Sequence, residues 1–76
     1  MTKNEFLGEL AEIMQLDTLP NGSENLEDFS EWDSMSILAV ISMFDMEFRV
    51  TLSSDDLNNV KSIPELIAMA GDQIYG

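Results

Sequence analysis

The chain has no cysteine and no histidine among its 76 residues. Without cysteine there is no disulfide to staple the fold, no thiolate for zinc and no thiol nucleophile. Without histidine the usual general base for an activated serine is missing, together with the commonest metal ligand. Bases are scarce as well: three stand against fifteen acids, a formal net charge of −12. Such a charge repels nucleic acid and anionic membrane surfaces and attracts basic protein surfaces. The longest apolar stretch is broken by serines and falls short of the roughly 18 residues that suggest a membrane span. The segment "MTKNEFLGEL" also lacks the apolar centre of a secretory signal. These absences describe a soluble, cytoplasmic protein that binds no nucleic acid, spans no membrane and performs no serine hydrolysis.

What is present is a helical pattern. Hydrophobic residues make up 45% of the chain. They recur with a helical period, which disordered acidic chains lack. The length allows one domain, residues 1 to 76, with a modest core. Thr2 and Glu5 have capping-box spacing, and Phe6, Leu7, Leu10, Ile13 and Met14 follow on one face of a first helix. Glu5, Glu9 and Glu12 point outward. From Leu16 to Asp33 the period fails, and "LPNGSENLEDFSEWD" reads as a long ordered connection. Leu19, Leu26, Phe29 and Trp32 are its expected anchors, with Trp32 a lid on the core.

A second helix is expected from Ser34 to about Glu47 or Phe48, with Asp33 as its N-cap. Phe48, Val50 and Leu52 then alternate with Arg49 and Thr51 as a short extended link. Ser53 or Ser54 caps a short third helix, with Leu57 and Val60 facing in. Ser62 and Glu65 form a capping box for a fourth, with Pro64 in its first turn. Its stripe is Ile63, Leu66, Ile67, Ala70 and Ile74. The expected architecture is all-α, four helices around one core.

The second helix is apolar on two sides. At about 100° per residue, Ile37, Val40, Ile41, Phe44 and Phe48 form the core face. Met35, Ala39, Ser42, Met43 and Met46 fall roughly opposite, with Leu38 at the edge. Methionine is flexible and polarizable, so an outward stripe of this kind suits a docking face for a partner.

With Asp33 acting as the cap, Ser34 occupies the first helical position with its hydroxyl near solvent. The positive end of the helix dipole and the free N–H groups there favour a negatively charged substituent such as a phosphodiester.

These features resemble the acyl carrier proteins. The stretch "WDSMSILAVISMFDMEFRVTLSSDDLNNVKSIPELIAMA" is similar to the second half of such a carrier, and the likeness extends over nearly the whole chain. Asp33, Ser34 and Met35 match the family's Asp-Ser-Leu modification motif. The resemblance implies a four-helix bundle of acyl-carrier type, with a long first loop and a short third helix. It also implies that a phosphopantetheinyl transferase moves 4′-phosphopantetheine from coenzyme A onto Ser34. The arm's thiol would carry acyl groups as thioesters between acyl-loading and acyl-using enzymes. On this reading the protein is a monomeric carrier without catalysis of its own. Asp33, Met35, Leu38, Ala39, Ser42, Met43 and Met46 would meet its partners.

Two features depart from the family pattern. Glu31 stands where glycine is common. Ser36, Ala39, Ser42 and Met46 stand where acids are common, which favours a specialised polyketide or lipid pathway over housekeeping fatty-acid synthesis. A peptidyl or aminoacyl carrier shares the fold and the serine. An unmodified acidic adaptor binding through its Met-rich face is the other alternative. Asp55 and Asp56 lack the spacing of a calcium loop, so no metal is expected.

Overall fold

The computed structural model describes all 76 residues. It contains four α-helices: α1 (Lys3–Met14), α2 (Ser34–Met43), α3 (Ser54–Asn59) and α4 (Ile63–Ala68). No strand forms, as the helical periodicity requires.

Three of the helices begin with reciprocal capping boxes. In α1 the Thr2 hydroxyl accepts the Glu5 N–H at 3.1 Å, and the Glu5 carboxylate accepts the Thr2 N–H at 2.8 Å. Ser53, not Ser54, caps α3 and is paired with Asp56. Ser62 and Glu65 cap α4, with Pro64 in the first turn. Each box satisfies two backbone N–H groups that a helix start would otherwise leave unpaired. Phe6, Leu7, Leu10 and Met14 carry the buried face of α1, with Ile13 half-buried beside them.

The chain does not leave the second helix at Met43. It widens into a π turn over Phe44–Phe48, which ends where Arg49 takes a left-handed φ of 56°. The rings of Phe6, Phe44 and Phe48 meet at the centre of the molecule. Their centroids lie 6.1 Å apart for Phe6 and Phe44, 6.4 Å for Phe6 and Phe48, and 5.0 Å for Phe44 and Phe48. Edge-on aromatic packing of this kind adds stability beyond the area buried. Val50 and Leu52 are half-buried and Arg49 and Thr51 exposed, so the expected alternation holds after the helix. The α4 stripe is interrupted instead: the helix stops at Ala68, and Gly71 takes a φ of 64° that favours glycine. Ile74 still reaches the core, from beyond a 3₁₀ turn at Gly71–Gln73.

The long connection is ordered by polar contacts more than by apolar anchors. Leu26 is buried and Phe29 and Trp32 are half-buried, but Leu19 is 52% exposed and anchors nothing. Its place is taken by Pro20 and Gly22, both buried. Gly22 has a φ of +98°, and a Cβ there would lie 2.8 Å from Lys3 Cε. The Glu24 carboxylate gathers the N–H groups of Asn21, Gly22 and Ser23 at 2.8, 2.8 and 3.1 Å. These bonds, that from Asn21 foremost, hold the Glu24 carboxyl below its ordinary value of 4.5. Further along, Leu26 N–H donates to the Lys61 carbonyl at 2.9 Å and Ile63 N–H to the Glu24 carbonyl at 3.0 Å. The connection is thus stitched to the start of α4.

Helix α1 runs antiparallel to α2. Ile13, Met14 and Gln15 share a groove with Asp33, Met35 and Ser36, and at the other end Glu5 lies with Glu47 and Phe48. This neighbour corrects the outward stripe at one residue and buries a second beside it. Met43 is only 8% exposed and belongs to the core, and Ser36 is 4% exposed. On the helical wheel both lie on the shoulder of α2 between its core face and its outer face. A wheel drawn for one helix cannot show that α1 covers this shoulder. No helix is long and apolar enough to cross a membrane.

Candidate functional site

The first turn of α2 is built so that Ser34 has no structural duty. Asp33 adopts an extended conformation, and its carboxylate accepts the Ser36 N–H at 3.0 Å. The Asp33 carbonyl accepts the Ile37 N–H, also at 3.0 Å. Ser36 turns inward, and its hydroxyl donates to the Glu31 carbonyl at 2.7 Å. Ser34, between these two anchored residues, is exposed and takes part in none of the capping bonds. The two serines of "DSMS" therefore divide the work: one ties the turn to the preceding loop, and the other is left to solvent.

Two grooves adjoin the turn. One of about 310 Å³ is lined by Ile13 and Met14 of α1 and by Glu31, Asp33 and Met35. The other, about 270 Å³, is lined by Leu26, Trp32, Ile37, Leu57 and Val60, with Lys61 among its polar residues. No group of three or more His, Cys, Asp or Glu side chains is placed to hold a metal ion.

The expected partner-facing residues divide. Asp33, Met35, Leu38, Ser42 and Met46 are exposed, with Met35 and Met46 at 77% and Leu38 at 63%. Ala39 is half-buried, and Met43 is withdrawn as described above. Met43 is the residue the sequence reading placed wrongly, and the inward turn of Ser36 is one it did not find. The available signal was its N3 position beside a loop end, where a small hydroxyl side chain can bond back to the chain before the helix.

A comparison with known families places the chain. The phosphopantetheine attachment site family matches residues 4 to 70. The chain belongs to this family. No match was found among curated proteins or among solved structures. The match reaches all four helices, so the carrier-family likeness read from the sequence and the all-α fold are both borne out. Domains of this family are the site of covalent 4′-phosphopantetheine attachment and are not themselves catalytic.

The residues present fit such a group. An attachment serine must offer its hydroxyl to a transferase, tolerate a bulky anionic substituent and stay in place without its own hydrogen bond. An exposed serine at a helix start, with its cap supplied by the preceding aspartate, meets all three requirements. Once attached, the group supplies a flexible arm ending in a thiol.

Proposed function

We propose that this chain, acting as one carrier domain, is an acyl carrier whose 4′-phosphopantetheine arm is attached to Ser34. Acyl intermediates held there as thioesters pass between acyl-loading and acyl-using enzymes of fatty-acid, polyketide or specialised lipid biosynthesis. The protein works as a cytoplasmic monomer, and the chemistry belongs to its partners. The observation that carries the reading is the exposed Ser34 hydroxyl on a turn capped by Asp33 and tied down by Ser36.

Partner enzymes meet the chain over the exposed part of α2. Asp33 and Met35 flank the modified serine, and Leu38, Ala39, Ser42 and Met46 continue along the helix. Apolar contact contributes more here than charge attraction, because Ala39, Ser42 and Met46 carry no charge. The scarcity of acids on this face favours a specialised pathway over a housekeeping synthase.

The test is a mass measurement. Incubation with coenzyme A and a phosphopantetheinyl transferase should add one phosphopantetheinyl group to the chain, and Ser34→Ala should abolish the gain. Ser36→Ala should retain it. No gain on the parent chain would leave an unmodified adaptor, and a gain that moves to Ser36 would overturn the site. Purification from the native cell followed by intact mass would then show the arm's cargo. An amino acid or peptide on it would replace the acyl assignment.

A further inference from the structure

Every sulfur in the chain is a thioether, because it has six methionines and no cysteine. The fold sorts these methionines sharply. Met14 and Met43 are buried, at 3% and 8% exposure, and Met1 and Met69 are half-buried against the core. Met35 and Met46 are each 77% exposed, one on α2 and the other on the π turn that continues it. With Leu38 they are the large apolar side chains exposed along this element, and of the three only the methionines can be oxidised. Met35 directly follows Ser34 in the open first turn.

We infer that Met35 and Met46 are sites of reversible oxidation to the sulfoxide, and that oxidation at Met35 slows loading of Ser34. The consequence for loading rests on the carrier reading; the choice of sulfurs does not. The reaction needs a two-electron oxidant, and charge selects it. Glu31 and Asp33 share a groove with Met35, and Glu9, Ile13 and Glu47 share another, between α1 and α2, with Met46. These carboxylates and the net charge of −12 repel anionic oxidants but not a neutral one such as hydrogen peroxide. The methionine sulfur attacks one peroxide oxygen, so that an S–O bond forms as the O–O bond breaks. The hydroxide released takes up the proton left on the transferred oxygen and departs as water. Sulfur is oxidised by two electrons and the peroxide is reduced by two.

A sulfoxide replaces a flexible apolar side chain with a polar, chiral one. At Met35 the new oxygen lies where a transferase must seat to reach Ser34. Covering it there loses the apolar contact and buries an acceptor that has gained no donor. Met46 stands roughly 18 Å from Ser34 along the helix axis, at about 1.5 Å per residue, so the effect on loading belongs to Met35. Before the arm is attached the chain offers peroxide no thiol, which would otherwise react first. The switch therefore acts on the unloaded carrier.

The experiment treats the unmodified full chain with hydrogen peroxide, removes the excess with catalase and maps the oxidised residues by peptide mass spectrometry. Met35 and Met46 should each gain one oxygen while Met14 and Met43 gain none, and in denaturant all the methionines should react alike. Oxidation of Met14 or Met43 in the folded chain as fast as of Met35 overturns the choice of sulfurs. Coenzyme A and a phosphopantetheinyl transferase then read loading. The oxidised chain should accept the arm about tenfold more slowly than the untreated chain. The two methionine sulfoxide reductases, one for each sulfoxide epimer, should restore the rate. Each variant is compared with itself before and after peroxide, so its starting rate does not enter. Met35→Leu should hold its rate through the treatment, whereas Met46→Leu should slow as the parent does. The switch is overturned if the oxidised parent loads at the untreated rate, if Met35→Leu still slows, or if the reductases restore nothing. An untreated parent that accepts no arm sinks the carrier reading and the switch with it, while the peptide map still decides which sulfurs react.

Discussion

The two ends of the second helix are held by different physics. At the first turn the bonds are local and polar: Asp33 onto the Ser36 N–H, and Ser36 onto the Glu31 carbonyl. Ser34 and Met35 are exposed beside them. At the last turn Phe44 is fully buried and Phe48 nearly so, against each other and against Phe6. That end is closed by Val50 N–H on the Phe44 carbonyl at 3.1 Å and by the Gln73 side-chain amide on the Phe48 carbonyl at 2.9 Å. The contrast separates two tasks. Packing at the far end fixes the helix to α1, and this frees the near end to present a side chain that packs against nothing. A serine at the aromatic end would be buried; a phenylalanine at the polar end would have no core to join.

The largest effect should come from the aromatic end. Phe44→Ala empties the centre of the core and should cost about 3–5 kcal/mol of unfolding free energy, read by denaturant titration. A loss below 1 kcal/mol would mean that the three rings do not anchor the helix. At the polar end Asp33→Ala should cost about 0.5–2 kcal/mol, the usual value of a helix cap. Ser34→Ala should leave stability unchanged while preventing modification. If Ser34→Ala destabilises as much as Asp33→Ala, the hydroxyl is structural and the contrast between the two ends fails.

The polar end was legible in the sequence because capping is a local code. Thr2 with Glu5 and Ser62 with Glu65 each announce a helix within four residues, Ser53 or Ser54 announces a third, and the structure places a helix at every one. Asp33 announces the start of α2 in the same way. What the sequence could not show depends on neighbours distant in the chain. Met43 and Ser36 lie on the shoulder of an isolated helix and are buried because α1 lies across it. Leu19 looks like an anchor until the Pro20–Ser23 turn, gathered by Glu24, takes the buried place instead. The groove between α1 and α2 joins Glu9 and Ile13 to residues some thirty positions away, so no window along the chain contains it.

A smaller effect sharpens the comparison within the first turn itself. Ser36→Ala removes the only side-chain donor on the Glu31 carbonyl in a nearly buried place. It should cost about 0.5–1.5 kcal/mol, the net value of one hydrogen bond. Modification of Ser34 should persist but slow, because Glu31 and Trp32 would no longer be tied to the helix start. An unchanged melting temperature together with an unchanged modification rate would show that the loop end is held by Trp32 alone.

The smallest effect tests how far the polar order reaches back into the loop that delivers Ser34. Glu24 lies below its ordinary value of 4.5, led by the Asn21 N–H bond and supported by those of Gly22 and Ser23. A carboxyl whose folded value is depressed contributes stability that is fully present above the unfolded value. That stability is lost as the pH falls through the folded one. Glu24→Gln lacks this contribution, so it should be less stable than the parent near neutrality, and the gap should close as the pH drops below 4.5. Acidification also relieves repulsion among the fifteen acids, which stabilises the chain. Most of that relief is common to both proteins and cancels in their difference, so the gap isolates Glu24. Amide hydrogen exchange locates the change. In acid, Asn21, Gly22 and Ser23 should lose protection while Phe44 to Phe48 keep theirs, because no carboxylate holds the aromatic end. A gap that stays constant across this range would mean that the three bonds to Glu24 do not stabilise the loop. Equal loss of protection at the Asn21–Ser23 turn and at Phe44 to Phe48 would mean that the molecule opens as a whole, and that its polar loop and its aromatic end are not separately held.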